Sequence, residues 1–296
     1  MTKRVLIDGV SFPPEGAKIS AYDRGFLYGD SVFETVRTYG GRLFALGEHL
    51  ERLVRSASLI GIQLPVTSEQ LAAETERVVA EAGNPESRAR IMVTRGSGPV
   101  DLDPSSAEQP LRVIFVAPLV TPPAEHYRDG IAVHCVETVR ASDAAGSAKL
   151  GNYLASALAL RHARSAGAVE ALVVNRDGVV VEGPTSNVFM VRDGALVTPP
   201  LEIGVLAGIT RALVIERAAE LGLEVRYAAY PAAEVVRSQE LFFTSTLREI
   251  IPVVQMDGQP IGDGKPGPVT RSLHRALRRH VGLDGSLPHE GPRAQG

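Results

Sequence analysis

The sequence predicts an α+β chain built as two domains, and three observations carry that reading. Strand-like and helix-like stretches do not alternate regularly, which argues against a doubly wound parallel sheet. Two-residue turn signals at Gly40-Gly41, Asp177-Gly178 and Asp193-Gly194 lie between apolar runs and predict antiparallel hairpins. A Pro-rich stretch divides the chain into a small N-terminal α/β domain over 1–117, a linker over 118–124 and a larger β-rich C-terminal domain over 125–281. With 296 residues, 44% of them hydrophobic, both domains can hold substantial cores.

The first domain opens with the strand VLIDGV, and VFETVRTY pairs with RLFAL across Gly40-Gly41. A helix is expected over about 47–60, with Leu50, Leu53, Val54 and Ala57 on one face. Thr67-x-x-Gln70 is a capping-box pattern that starts a second helix, and Gly83 ends it. Strands follow at 90–94 and 111–117. The connection between them, 96–110, is polar, rich in Gly and Pro, and of a length that often serves function.

The second domain starts with a strand over 131–139 and a helix from about 152 to 165. Hairpins turned at Asp177-Gly178 and Asp193-Gly194 come next. A helix over 209–221 stops at Gly222, strands are expected near 225–230, 240–244 and 251–256, and a last helix covers about 269–281. Residues 282–296 read as a disordered tail.

Composition narrows the function. The longest apolar runs fall short of the roughly 18 residues that span a bilayer. The opening MTKRVLIDGV enters a strand pattern without a signal-peptide core, so a cytoplasmic protein is expected. The one cysteine, Cys135, sits in the apolar run IAVHCVETV and reads as a buried small hydrophobe. A net charge of -3 with dispersed basic residues leaves no nucleic-acid footprint, and a small-molecule partner is expected instead. Of the 31 basic residues 27 are arginine, the lysines being Lys3, Lys18, Lys149 and Lys265. Arginine does not deprotonate in proteins, so an amine nucleophile has few candidates. Only Lys149 lies within patterned sequence.

By itself a loop lysine is ordinarily a solvated charge. Three other segments give Lys149 a context. Glu182 ends the β-rich run VVVEG, where a carboxylate is either an edge-strand charge or the partner of a ring nitrogen. Gly208-Ile209-Thr210 opens a helix and offers backbone N–H groups and a hydroxyl to an anion. Thr244-Ser245-Thr246 follows the strand LFF and adds hydroxyls at a turn.

The order of these segments resembles one family. Asp23-Arg24-Gly25-Phe26-Leu27-Tyr28-Gly29-Asp30, Phe33-Glu34-Thr35 and Glu48-His49-Leu50-Glu51-Arg52-Leu53 come first; Lys149-x-x-Asn152-Tyr153, Glu182-Gly183, Leu206-x-Gly208-Ile209-Thr210-Arg211 and Thr246-x-x-Glu249-x-x-Pro252-Val253 follow. Together they resemble the fold type IV enzymes that use pyridoxal 5′-phosphate (PLP). This is the class IV aminotransferase family of branched-chain aminotransferases, D-amino-acid aminotransferases and aminodeoxychorismate lyase. The resemblance implies the two-domain α+β fold of D-amino-acid aminotransferase and a homodimer or larger homo-oligomer, with the active site between the domains. It makes Lys149 the Schiff-base lysine and proton shuttle, Glu182 the partner of the pyridine nitrogen, and Tyr153 a hydrogen-bond partner of the cofactor's phenolic oxygen. It assigns the phosphate to Arg52, Ile209, Thr210 and Thr246. Without the resemblance, Arg52 reads as a surface residue on the charged face of its helix.

What the resemblance implies for activity is transfer of an amino group between an amino acid and a 2-keto acid through the Lys149 internal aldimine. Phe33 and its apolar neighbours suit an aliphatic side chain, which favours branched-chain L-amino acids, with the carboxylate received by Arg90 and by backbone N–H groups of Thr246 and Leu247. The Tyr and Arg-x-His that grip the carboxylate in bacterial D-amino-acid enzymes are replaced by Phe33 and Val100-Asp101-Leu102. Against this, the short Lys149-to-Tyr153 spacing is closer to lyases and D-selective aminotransferases. Aminodeoxychorismate lyase, a D-selective aminotransferase and a non-enzymatic descendant of the fold are the alternatives.

Overall fold

The computed structural model describes residues 2–107, 109–138 and 147–291. Contacts divide them into two units, one holding residues up to 120 together with 147–153, the other 121–138 and 154–291.

In the first unit the chain forms β1 (Arg4–Ile7), β2 (Val10–Phe12), α1 (Arg24–Tyr28), β3 (Ser31–Tyr39), β4 (Arg42–Leu43), α2 (Leu46–Leu59), α3 (Ser68–Ala82), β5 (Ser87–Thr94) and β6 (Leu111–Pro118). The strands make one antiparallel sheet in the order β2-β1-β6-β5-β3-β4. Gly40 and Gly41 both take positive φ, 58° and 75°, which is why two glycines close the β3–β4 hairpin. The capping box forms: the Gln70 N–H donates to Thr67 Oγ1 at 3.3 Å and the Thr67 N–H to Gln70 Oε1 at 3.0 Å. Val32 and Val36 of β3 and Ala89, Ile91 and Val93 of β5 face Leu50, Leu53 and Ala57 of α2 and Leu71 and Val78 of α3, the period of two meeting the period of three to four.

The second unit contains α4 (Ala124–Arg128), β7 (Ile131–Glu137), α5 (Leu154–Ser165), β8 (Glu170–Val174), β9 (Val180–Glu182), β10 (Asn187–Arg192), β11 (Ala195–Thr198), α6 (Ile209–Glu220), β12 (Val225–Tyr227), α7 (Ala232–Val235), β13 (Glu240–Ser245), β14 (Glu249–Met256), β15 (Gln259–Pro260) and α8 (Pro268–His280). Its sheet runs β12-β11-β10-β13-β14-β7-β8-β9, with β15 on β14. One cluster unites Leu172, Val174 and Val180 from one end of this order with Val188, Met190 and Val197 from the other, so the sheet curls around it. On the opposite face, Phe189, Val191 and Phe242 pack on Val214 and Ala218 of α6 and Leu273 and Leu277 of α8. Burial on both faces accounts for the unbroken apolar runs VFMV and LFF.

Two expectations change. The stretch 147–153 belongs with the first unit, because it pairs with the start of β3 rather than with the strands that precede and follow it. The tail is ordered further than expected: Ser286 and Leu287 are buried, and the Glu290 carboxylate pairs with Arg275 at 2.6 Å. Residues 292–296, like residue 139 of the expected strand 131–139, lie outside the described residues. No described helix is long and apolar enough to cross a membrane.

Candidate active site

Backbone pairing places Lys149. The Lys149 carbonyl accepts the Phe33 N–H at 3.1 Å, the Gly151 N–H donates to the Ser31 carbonyl at 2.7 Å, and Leu150 bridges to Val32. From α2, Ser56 Oγ accepts the Lys149 N–H at 3.0 Å. A Cβ on Gly151 would lie 2.0 Å from Ser31 Oγ, so any larger residue here would force the Ser31 side chain to turn away.

The lysine side chain runs across the face of the sheet that turns away from α2. Its Nζ lies 3.2 Å from the Tyr153 hydroxyl and 4.6 Å from the Phe33 ring centroid. Phe33 and Tyr153 meet edge to face at 5.0 Å, and the Arg90 guanidinium carbon stacks 3.7 Å from the Phe33 centroid. Register explains the encounter: Phe33 pairs with Met92 and Thr35 with Arg90, so Phe33 and Arg90 are diagonal neighbours on one face. Burial holds the Arg90 pKa below its ordinary value. Among the described residues, Arg90 pairs with no carboxylate, leaving a partly desolvated cation suited to an external anion.

Arg52 is buried rather than on the surface. His49, Arg52 and Ser56, three and four residues apart, form a polar stripe along α2, and each is almost fully buried. Glu34 meets the stripe from β3. Its carboxylate accepts Arg52 Nε and Nη2, each at 2.6 Å, and shares a hydrogen bond of 2.7 Å with His49 Nδ1. Burial alone would raise the Glu34 pKa; the Arg52 and His49 hydrogen bonds outweigh it and hold the group at about 2. Burial pushes His49 below its ordinary value, so it stays neutral and donates from Nδ1.

In the second unit, Glu182 ends β9 and is buried. Its Oε2 accepts Asn187 Nδ2 at 3.0 Å and the Leu206 N–H at 3.2 Å, while Asn187 Nδ2 also reaches the Leu206 carbonyl at 2.8 Å. Ile209 and Thr210 begin α6 behind Gly208, which brings no side chain to cap the first-turn N–H groups. Thr246 and Leu247 occupy the turn between β13 and β14. Arg248 fastens this turn, bonding Ser245 Oγ at 3.2 Å and Thr185 Oγ1 at 3.0 Å and pairing with Glu170, while the Tyr127 hydroxyl donates to its carbonyl at 3.1 Å. Glu249, at φ +58°, is gripped by His274 Nε2 at 2.7 Å and Arg278 Nη1 at 2.9 Å.

Residues 31–256 match the amino-transferase class IV family. The chain belongs to the class IV aminotransferases. It is 37% identical over 277 residues to a Methanocaldococcus jannaschii protein that carries a provisional branched-chain-amino-acid aminotransferase name, covering 93% of this chain and 95% of that one. A D-alanine aminotransferase of Bacillus licheniformis is 32% identical over 278 residues, 94% of this chain and 97% of its own. The branched-chain amino acid aminotransferase of T.th. solved with pyridoxamine 5′-phosphate superposes with a TM-score of 0.89 at 31% identity, covering 98% of this chain and 97% of that one.

This class IV aminotransferase keeps its expected residues in two local constellations. Lys149, Tyr153, Phe33 and Arg90 converge in the first unit, with Arg52 on the α2 side of the same strand. Glu182 is linked through Asn187 and Leu206 to the Gly208-Ile209-Thr210 helix start, and Thr246 and Leu247 are linked through Arg248 to the Thr185 turn after Glu182. Glu34, His49, Ser56, Asn187, Arg248 and His274 carry much of this arrangement and were given no role from sequence. A signal for the first three exists. Alternation along VFETV puts Glu34 on the side of Val32 and Val36, and the 49-52-56 spacing puts three polar groups on one helix face.

Proposed function

We propose that this aminotransferase moves an amino group between an amino acid, best an aliphatic or branched-chain L-amino acid, and a 2-keto acid, using PLP held by Lys149. The observation that supports the reading most is the Lys149–Tyr153–Phe33–Arg90 group. It sets an amine and a guanidinium against one aromatic ring, and the guanidinium has no carboxylate partner among the described residues.

The residues present fit PLP. An uncapped helix start at Ile209 and Thr210 suits a phosphate, with Arg52 and Thr246 as further donors. Glu182, anchored by two donors on Oε2, suits a protonated ring nitrogen. When bound, PLP supplies an aldehyde carbon for the lysine and an electron sink for the α-carbon of the substrate. Lys149 Nζ then takes the α-proton from the substrate and later returns a proton, with the Tyr153 hydroxyl orienting the amine. Arg90 receives the substrate carboxylate, assisted by the Thr246 and Leu247 N–H groups, and Phe33 supplies apolar surface worth about 25 cal/mol per Å² of side chain covered. The reading includes a cytoplasmic homodimer or larger assembly, which fractionation and sedimentation test.

The test is reconstitution with PLP followed by a half-reaction screen. L-Leucine and L-valine should discharge the visible absorption band of the lysine-bound cofactor, and Lys149→Ala should lose both band and turnover. A variant that keeps both sinks the assignment. The D-alanine aminotransferase relatives favour a second reading, D-selectivity, which discharge by D-alanine alone would establish. Release of 4-aminobenzoate from aminodeoxychorismate without a keto acid would make the enzyme a lyase.

A further inference from the structure

The buried ion pair between β3 and α2 occupies a position where an apolar pair would also serve the core. Glu34 lies between Val32 and Val36 on the core-facing side of its strand and has no exposed surface. Buried ion pairs generally offer little over apolar residues of equal volume, because desolvation consumes most of the attraction. The geometry is nonetheless a side-on fork, with Nε and Nη2 of Arg52 each 2.6 Å from one carboxylate oxygen. Two parallel bonds of this kind fix the plane of the guanidinium. The His49 hydrogen bond at 2.7 Å keeps the carboxylate from rotating about its own axis.

We infer that Glu34, steadied by His49, is a positioning residue that aims the Arg52 guanidinium at the PLP phosphate. This rests on the proposed role of Arg52. The same strand segment that carries Glu34 also carries Phe33, whose N–H binds the Lys149 carbonyl. One short piece of β3 therefore sets both the direction of the phosphate-binding arginine and the position of the cofactor-binding lysine. A fixed guanidinium serves a phosphate better than a mobile one, since less side-chain freedom is lost on binding.

The test compares PLP with pyridoxal, which lacks the phosphate. Apoenzyme is titrated with each, and binding is followed by absorbance for the wild type, Arg52→Lys, Glu34→Gln and the double variant. Arg52→Lys should weaken PLP on the order of tenfold to a hundredfold, the range for a charge-assisted hydrogen bond, and leave pyridoxal unchanged. Glu34→Gln should lower the PLP-to-pyridoxal preference in the same way, and the double variant should be no worse than Arg52→Lys alone. If Glu34→Gln fails to fold, Glu34→Asp, which draws the carboxylate back by one methylene, should show the same selective loss. Equal weakening of both ligands by the Glu34 variants, or losses that add to those of Arg52→Lys, overturns the inference while leaving the Arg52 role standing. An unchanged preference in Arg52→Lys overturns the Arg52 role and the inference together.

Discussion

Gly208→Ala tests how Glu182 is held. A Cβ at position 208 would lie 1.9 Å from Asn187 Oδ1 and 3.1 Å from its Cγ, far inside contact distance. Backbone strain is not the issue, since Gly208 has an ordinary φ of -72°. The Asn187 amide must therefore move, and it donates both to the Glu182 carboxylate and to the Leu206 carbonyl. Losing a hydrogen bond to a charged group costs about 1.5–3 kcal/mol, and overpacking a tight contact about 1–3 kcal/mol. With partial relaxation, a loss of about 2–4 kcal/mol is expected by urea denaturation, alongside a reduced amino-transfer rate. Asn187→Ala should cost about 2–3 kcal/mol by the same hydrogen bonds, and it removes the obstructing group. The double variant should then match Asn187→Ala alone, giving a coupling about as large as the Gly208→Ala penalty. Additive losses would show that the clash is relieved elsewhere and that Asn187 does not transmit it to Glu182.

Two further outcomes follow from ionisable groups that are partly or fully buried. Arg90→Met should raise KM for the amino acid by roughly 10- to 100-fold, the worth of a charge-assisted hydrogen bond, while the bound-cofactor absorbance stays as in wild type; an unchanged KM removes Arg90 from carboxylate recognition. Acid should destabilise the fold in two stages. His49 and His274 have folded pKa values below 6.5, so the unfolded chain binds more protons as pH falls through that value and stability declines. Glu34 adds a second decline between its unfolded value of 4.5 and its folded value of about 2, amounting to about 3 kcal/mol at the acid end. Urea titrations across this range check both, and Glu34→Gln should shrink the lower stage by the share of Glu34, leaving that of Glu290, which Arg275 also holds at about 2.

Much of the fold was legible because its signals are local. The Gly40-Gly41 hairpin, the Thr67/Gln70 box and the Gly83 stop each depend on a few adjacent residues, and each forms where expected. The placement of Lys149 was not legible in the same way. Its pairing with Ser31 and Phe33 joins residues more than 100 positions apart, and no local pattern in Ala148-Lys149-Leu150-Gly151 names β3 as the partner. The ordered end of the chain escaped for a similar reason, since Glu290 is held by Arg275 across a turn that has little apolar pattern.

Arg52 marks where charge pattern and burial part. On α2 the apolar stripe of Leu50, Leu53 and Ala57 is flanked by His49, Arg52 and Ser56, and the surrounding Glu48, Glu51 and Arg55 make that flank look like solvent-facing surface. The buried arc is wider than the apolar arc. It widens because a carboxylate on β3 and the backbone of Lys149 meet the helix there, and polar groups satisfied by such partners can be enclosed at modest cost. Helical periodicity measures hydrophobicity and cannot register a partner supplied by a strand 18 residues upstream. The telling sign lies on that strand instead, where a glutamate occupies a position that alternation assigns to the core. Read as a pair, a core-phased acid and a polar helical stripe with an arginine predict a buried ion pair, and such pairs are where a functional reason should be sought first.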